Sequence, residues 1–160
     1  MKKALIFPIG LFVMLIVVLT GCKDEETYPI TPEISFKSLV KFQNVANSDS
    51  LELVFNFTDG DGDIGTAEGD SVNRDVFVKI FEMKNGVFVE FTDLAAPLEY
   101  NIPYLEPRGN NNSLKGEIKI NVEYNVIQPN DTIRYELYIK DRARNRSNSI
   151  TTSTIITNIQ

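Results

Sequence analysis

From residue 33 onward, apolar side chains recur at every second position and not at the 3.6-residue spacing of a helix. Leu51, Leu53, Phe55 and Phe57 are separated by Glu52, Val54 and Asn56, the period that turns one face of a strand to a core and the other to water. Val76, Val78 and Ile80 repeat it, as do Leu114, Ile118, Ile120 and Val122, and then Ile133, Tyr135, Leu137 and Ile139. The stretch 33–42 alternates in part, through Ile34, Phe36 and Phe42, and the Thr- and Ile-rich stretch 150–156 is β-prone. Asn85-Gly86, between Phe81-Glu82-Met83-Lys84 and Val87-Phe88-Val89, predicts a two-residue hairpin, because both residues accept positive φ. No stretch carries apolar residues at i, i+3, i+4 and i+7 over a helical length. The pattern predicts an all-β protein: an immunoglobulin-like antiparallel β-sandwich of about seven strands over residues 33–160.

Alternating strand direction sorts the connections. The segments 58–74, 92–112 and 141–147 fall at one end, and 44–50, 85–86 and 125–130 at the other. The long connections share a tip, and long loops on a rigid scaffold are where binding residues concentrate. By the same parity Asp141 can approach the loop that begins at Thr58.

The N-terminus follows a different pattern. Lys2 and Lys3 precede an uncharged apolar run over residues 4–19, shorter than the roughly 20 residues of a spanning helix and interrupted by Pro8 and Gly10. This reads as a signal peptide over residues 1–21. Leu19-Thr20-Gly21-Cys22 resembles the bacterial lipobox, which implies acylation of Cys22 and attachment to a membrane through the lipid alone. Lys23-Asp24-Glu25-Glu26 is similar to the short acidic export signal of Bacteroidetes surface lipoproteins, which implies a surface-exposed position on the outer membrane. Residues 22–32, with Pro29 and Pro32, read as an extended lipidated tether reaching about 35 Å.

Composition narrows the function. There are 16 Lys+Arg against 22 Asp+Glu, one Cys, no His and no Trp. Lack of His removes the commonest general base and metal ligand, and nothing in the spacing of carboxylates such as Glu99 and Glu106 marks a catalytic pair, so a non-enzymatic role is expected. The acidic balance argues against nucleic acid as a partner. One Cys excludes an internal disulfide.

Thr58-Asp59-Gly60-Asp61-Gly62-Asp63-Ile64-Gly65 has the clearest chemistry. Carboxylates supply hard oxygen ligands and Gly lets the chain wrap a small radius. The segment resembles in part the loops of EF-hands, dockerins and thrombospondin-type repeats, which implies calcium. With Asp59, Asp61 and Asp63 at loop positions 1, 3 and 5, Asp70 falls at position 12, but Ile64 stands where those loops need Gly. Moving the register by two puts Glu68 at position 12 and Phe57 where the first Asp should be. Strands on both sides exclude an EF-hand, so any site would lie between sandwich loops. The candidate ligands are Asp59, Asp61, Asp63, Glu68, Asp70 and Asp141; the alternative is a plain Asx-rich turn.

Asp141-Arg142-Ala143-Arg144-Asn145-Arg146-Ser147 resembles the Asp-x-Ala-Gly-Asn-x-Ser turn of bacterial immunoglobulin-like and cadherin-like modules, with Arg144 in the place of Gly. Together these resemblances identify a Bacteroidetes-type surface lipoprotein with a single such domain. Lys140, Arg142, Arg144 and Arg146 form either a basic stripe or a solvated turn that balances the acidic loop. In the segment 92–112, Tyr100, Tyr104 and Arg108 are candidate contacts to a sugar or peptide; the alternative is a Pro-braced cover with its tyrosines on the core edge. The expected function is a calcium-ordered binding or assembly module of the cell envelope, with a protein or glycan ligand. The alternative is a glycan-binding accessory lipoprotein of a polysaccharide-uptake system.

Overall fold

The computed structural model describes residues 26–43, 49–66, 73–107, 112–123 and 132–156. Among them the strands are β1 (Glu33–Gln43), β2 (Asp49–Asp59), β3 (Val76–Lys84), β4 (Val87–Glu90), β5 (Leu98–Tyr100), β6 (Leu114–Glu123), β7 (Thr132–Ile139), β8 (Ile150–Thr151) and β9 (Ile155–Ile156). They form two antiparallel sheets. One has the order β1-β2-β6 and the other β4-β3-β7-β8, with β5 also on β3 and β9 also on β7.

The second sheet has four strand positions, not six. β4 pairs with the Phe81–Lys84 end of β3 and β5 with the Val76–Val78 end, so a single edge is interrupted by residues 91–97. The other edge breaks at Thr152. Its hydroxyl accepts the Tyr135 amide at 3.0 Å and donates to the Ser153 carbonyl at 2.8 Å, so a side chain takes over where a strand would have continued. Three positions in one sheet and four in the other make the immunoglobulin-like sandwich.

The period-two pattern accounts for the core. Leu51, Leu53 and Phe55 of β2, Val76 and Ile80 of β3, Val122 of β6, and Ile133, Tyr135, Leu137 and Ile139 of β7 are fully buried between the sheets. Each such aliphatic or aromatic side chain contributes about 1.5–3 kcal/mol. The hairpin at Asn85-Gly86 forms with φ of 51° and 81°, as the dipeptide predicts.

Two apolar residues outside the strands close the core beneath the loop end. Ile64 is 0% exposed and Ile102 2% exposed. Ile64 therefore serves as a core plug, which explains why it departs from the Gly of a calcium loop. At this same end β1 starts, with Glu33 opposite Thr58. The Asn148 side chain clamps that start: it accepts the Ile34 amide at 2.8 Å and donates to the Ile34 carbonyl at 2.9 Å.

Candidate metal centre

Asp59 is the last residue of β2, where the strand leaves its pairing with β6 opposite Leu114. Ile64 anchors the loop that follows in the core, and this folds Asp63 back over Asp59. The Asp63 amide donates to Asp59 Oδ2 at 3.0 Å. Gly62 takes a φ of 73°, a left-handed conformation that suits Gly at this bend.

Asp141 arrives from the other sheet, two residues beyond β7. Its Oδ1 accepts the Asn145 amide at 2.7 Å and its Oδ2 the Asn145 side-chain nitrogen at 2.8 Å. These bonds fix the turn at 141–145, which then docks on the loop. The Arg142 amide donates to the Asp63 carbonyl at 3.0 Å and the Ala143 amide to Asp63 Oδ2 at 2.9 Å. The Arg142 guanidinium donates to the carbonyls of Ile64 at 3.0 Å and Gly62 at 3.3 Å.

This docking brings one carboxylate oxygen from each of Asp59, Asp63 and Asp141 within 4.8 Å of one another. Asp59 and Asp141 are 0% exposed. Asp59 Oδ1 and Asp63 Oδ1 are buried and have no hydrogen-bond partner among the described residues. An unsatisfied buried polar atom ordinarily costs about 1–3 kcal/mol, and more when charged, so two on carboxylates of one acidic cluster need a counterpart. Burial pushes the Asp59 carboxyl up to about 6, helped by Asp61 and Asp63 and opposed by the amide of Asp63. Burial likewise raises Asp63, with Asp141 and Asp61 adding repulsion, against the Ala143 amide and Arg142. The buried cluster of Asp59, Asp63 and Asp141 could hold a metal ion, whose charge would remove that penalty.

The other candidate residues are placed differently. Asp61 is exposed and outside the three-carboxylate group. Cys22, Glu68, Asp70 and Arg108 lie outside the described residues, as does the signal peptide. Tyr100, in β5, packs against the core. Tyr104 is 48% exposed, with the Arg142 guanidinium 4.7 Å from its ring centre, and borders a hollow of about 700 Å³ also lined by Phe57, Glu106, Lys115 and Glu117.

The basic run does not form an open stripe. Arg142 is absorbed by the loop. Lys140 lies 5.2 Å over Phe77 and Arg146 3.9 Å over Tyr138, two rings stacked on each other at 4.9 Å. Arg144 donates to the Arg74 carbonyl at 3.0 Å. Its φ of 69° is a left-handed conformation that Gly adopts without strain and Arg does not.

Asp75 is a structural member of the site that sequence reasoning did not single out as a contact. Buried just before β3, it accepts the Ile102 amide at 2.8 Å and the Thr66 hydroxyl, and its carbonyl accepts the Lys140 amide at 2.8 Å. It ties together the chain segments that flank the cluster. Its only signal was a carboxylate directly before an alternating apolar run.

No known protein family, curated protein or solved structure matches the chain.

Proposed function

We propose that this chain is a lipid-anchored, non-catalytic module of the bacterial cell envelope that serves binding or assembly, and that a calcium ion bound by Asp59, Asp63 and Asp141 orders its loop end. The observation that carries the reading is the pair of buried, unpartnered oxygens, Asp59 Oδ1 and Asp63 Oδ1, within a three-carboxylate group. Calcium suits it better than magnesium. Calcium takes most of its shell from protein oxygens at 2.3–2.6 Å, whereas magnesium keeps several waters and uses one or two carboxylates. The expected attachment is through Cys22 on the outer membrane, at the cell surface. A glycan-binding accessory role is the second reading, favoured by exposed Tyr104 beside the hollow on β6.

Calorimetric titration of chelator-treated protein with calcium tests the first reading. One site per chain is expected, lost in Asp59→Asn. No heat and no thermal shift at millimolar calcium would overturn it. Affinity for a polysaccharide, lost in Tyr104→Ala with calcium binding intact, would favour the second reading. Exchange of Cys22 for Ser is expected to release the protein from the membrane fraction.

A further inference from the structure

The segment 26–32, expected as a free tether, lies on the domain, and it lies on the metal loop. A Cβ at Gly60 would overlap the Tyr28 carbonyl oxygen and fall 2.7 Å from that of Pro29. Only Gly lets the two backbones approach so closely. Glu26 forms an ion pair with Lys115 at the start of β6 and accepts the Tyr28 hydroxyl. Pro32 is buried. Ser113, two residues before Lys115, donates from its hydroxyl to the Gly60 carbonyl at 3.2 Å. The strap is thus seated on Gly60 and Lys115, and Gly60 is the residue next to Asp59.

We propose that residues 26–32 form a metal-dependent latch: a cation on Asp59, Asp63 and Asp141 holds the loop in the shape that seats the strap, and removal of the cation releases it. The proposal rests on the metal reading above. Three carboxylates in one desolvated cluster repel one another when no cation is present, and Asp59 and Asp63 bracket Gly60. When they separate, Gly60 moves with them, and a contact between two backbones has no side chain that can adjust. The ion pair of Lys115 with Glu26 is more than half exposed at both ends and is too weak to hold the strap alone.

The consequence concerns reach and orientation. With the strap seated, three residues separate Cys22 from Glu26, so the two are at most ~14 Å apart. Released, the tether runs from residue 23 to residue 32 and spans about 33 Å. A loaded domain is held close to its attachment point with the metal-bearing end inward, which turns the hairpin end, at Asn85-Gly86, toward the surroundings. An unloaded domain swings free.

The chain has no Trp, so Tyr28→Trp in the full chain provides a unique fluorophore on the strap. Its emission anisotropy is followed during titration with calcium alone, beside a calorimetric titration of the same protein. The expected result is a rise of about twofold on calcium binding, reversed by chelator, as nanosecond motion of a free segment is quenched. Adding Gly60→Ala should leave anisotropy low throughout. By linkage, Gly60→Ala alone should weaken calcium binding about 5- to 10-fold without abolishing it. Calcium binding with no change in anisotropy would overturn the latch and leave the metal site standing. No calcium binding would overturn both.

Discussion

Replacing Asp59 by Asn removes a buried charge and leaves the packing almost unchanged. The amide oxygen can still accept the Asp63 amide, which now donates to Asp59 Oδ2 at 3.0 Å. The amide nitrogen takes the position of a carboxylate oxygen that has no partner. The Asp59 carboxyl is raised from 3.8 to about 6, with burial as the main cause. A folded-state value above the unfolded one means that the native, metal-free protein binds the extra proton between these pH values. The contribution of Asp59 to the stability of that form is therefore fully present below about pH 4 and is lost as pH rises through about 6. A rise of this size costs the metal-free fold about 3 kcal/mol by pH 7, and Asp63, also raised, acts in the same direction.

In the absence of metal at pH 7.5, Asp59→Asn is thus expected to be the more stable protein. Its melting temperature should exceed that of the parent by about 5–10 °C for a domain of this size. Calcium reverses the order once it is far above its dissociation constant: at about 1,000 times that value it adds about 4.1 kcal/mol to the parent and little to the variant. Differential scanning calorimetry, with chelator and with calcium, reads both effects. An Asp59→Asn protein that melts at or below the parent in chelator would refute the reasoning, because the buried carboxylate would then carry no penalty for an ion to relieve.

Other outcomes follow from the same contacts. Arg142→Ala strips a cation from the loop carbonyls of Gly62 and Ile64 and should cost about 2–3 kcal/mol in urea unfolding of the metal-free protein. Asp75→Ala leaves the buried Ile102 amide without its acceptor, and a loss of about 2 kcal/mol is expected by the same assay. At position 144, where φ is 69°, the Gly variant should be about 1 kcal/mol more stable than the Ala variant, since both lose the bond to Arg74 and only Gly loses the strain. Calcium affinity should weaken progressively below about pH 6 as Asp59 protonates, a dependence that calorimetry at pH 5, 6 and 7 would show or deny.

The strands were legible because β2, β3, β6 and β7 alternate without any competing helical pattern, and burial follows that alternation except in β2, where Ser50 and Val54 on the other face are buried as well. Strand parity also placed Asp141 at the same end as the acidic loop, and the turn at 141–145 delivers it to Asp59 and Asp63. Local chemistry concealed more. Ile64 reads as a misfit in a calcium loop, and only the packed core reveals it as the plug that bends the loop. β5 is three residues in a Pro-rich stretch, too short to show a period, and it forms because β3 offers an unpaired edge there. The break between β8 and β9 depends on the Thr152 hydroxyl, which no alternation can signal. Asp61 and Asp63 are equivalent in the Asp-Gly repeat. The amide of Ala143, from a turn far along the chain, holds Asp63 inward while Asp61 stays in water.

The central claim is that Asp59, Asp63 and Asp141 hold a calcium ion. A crystal structure grown with calcium tests it most directly. The expected result is one peak with Asp59 Oδ1, Asp63 Oδ1 and an Asp141 oxygen at about 2.3–2.6 Å, in a shell of six to eight oxygens. Water alone among the three carboxylates at millimolar calcium would contradict it.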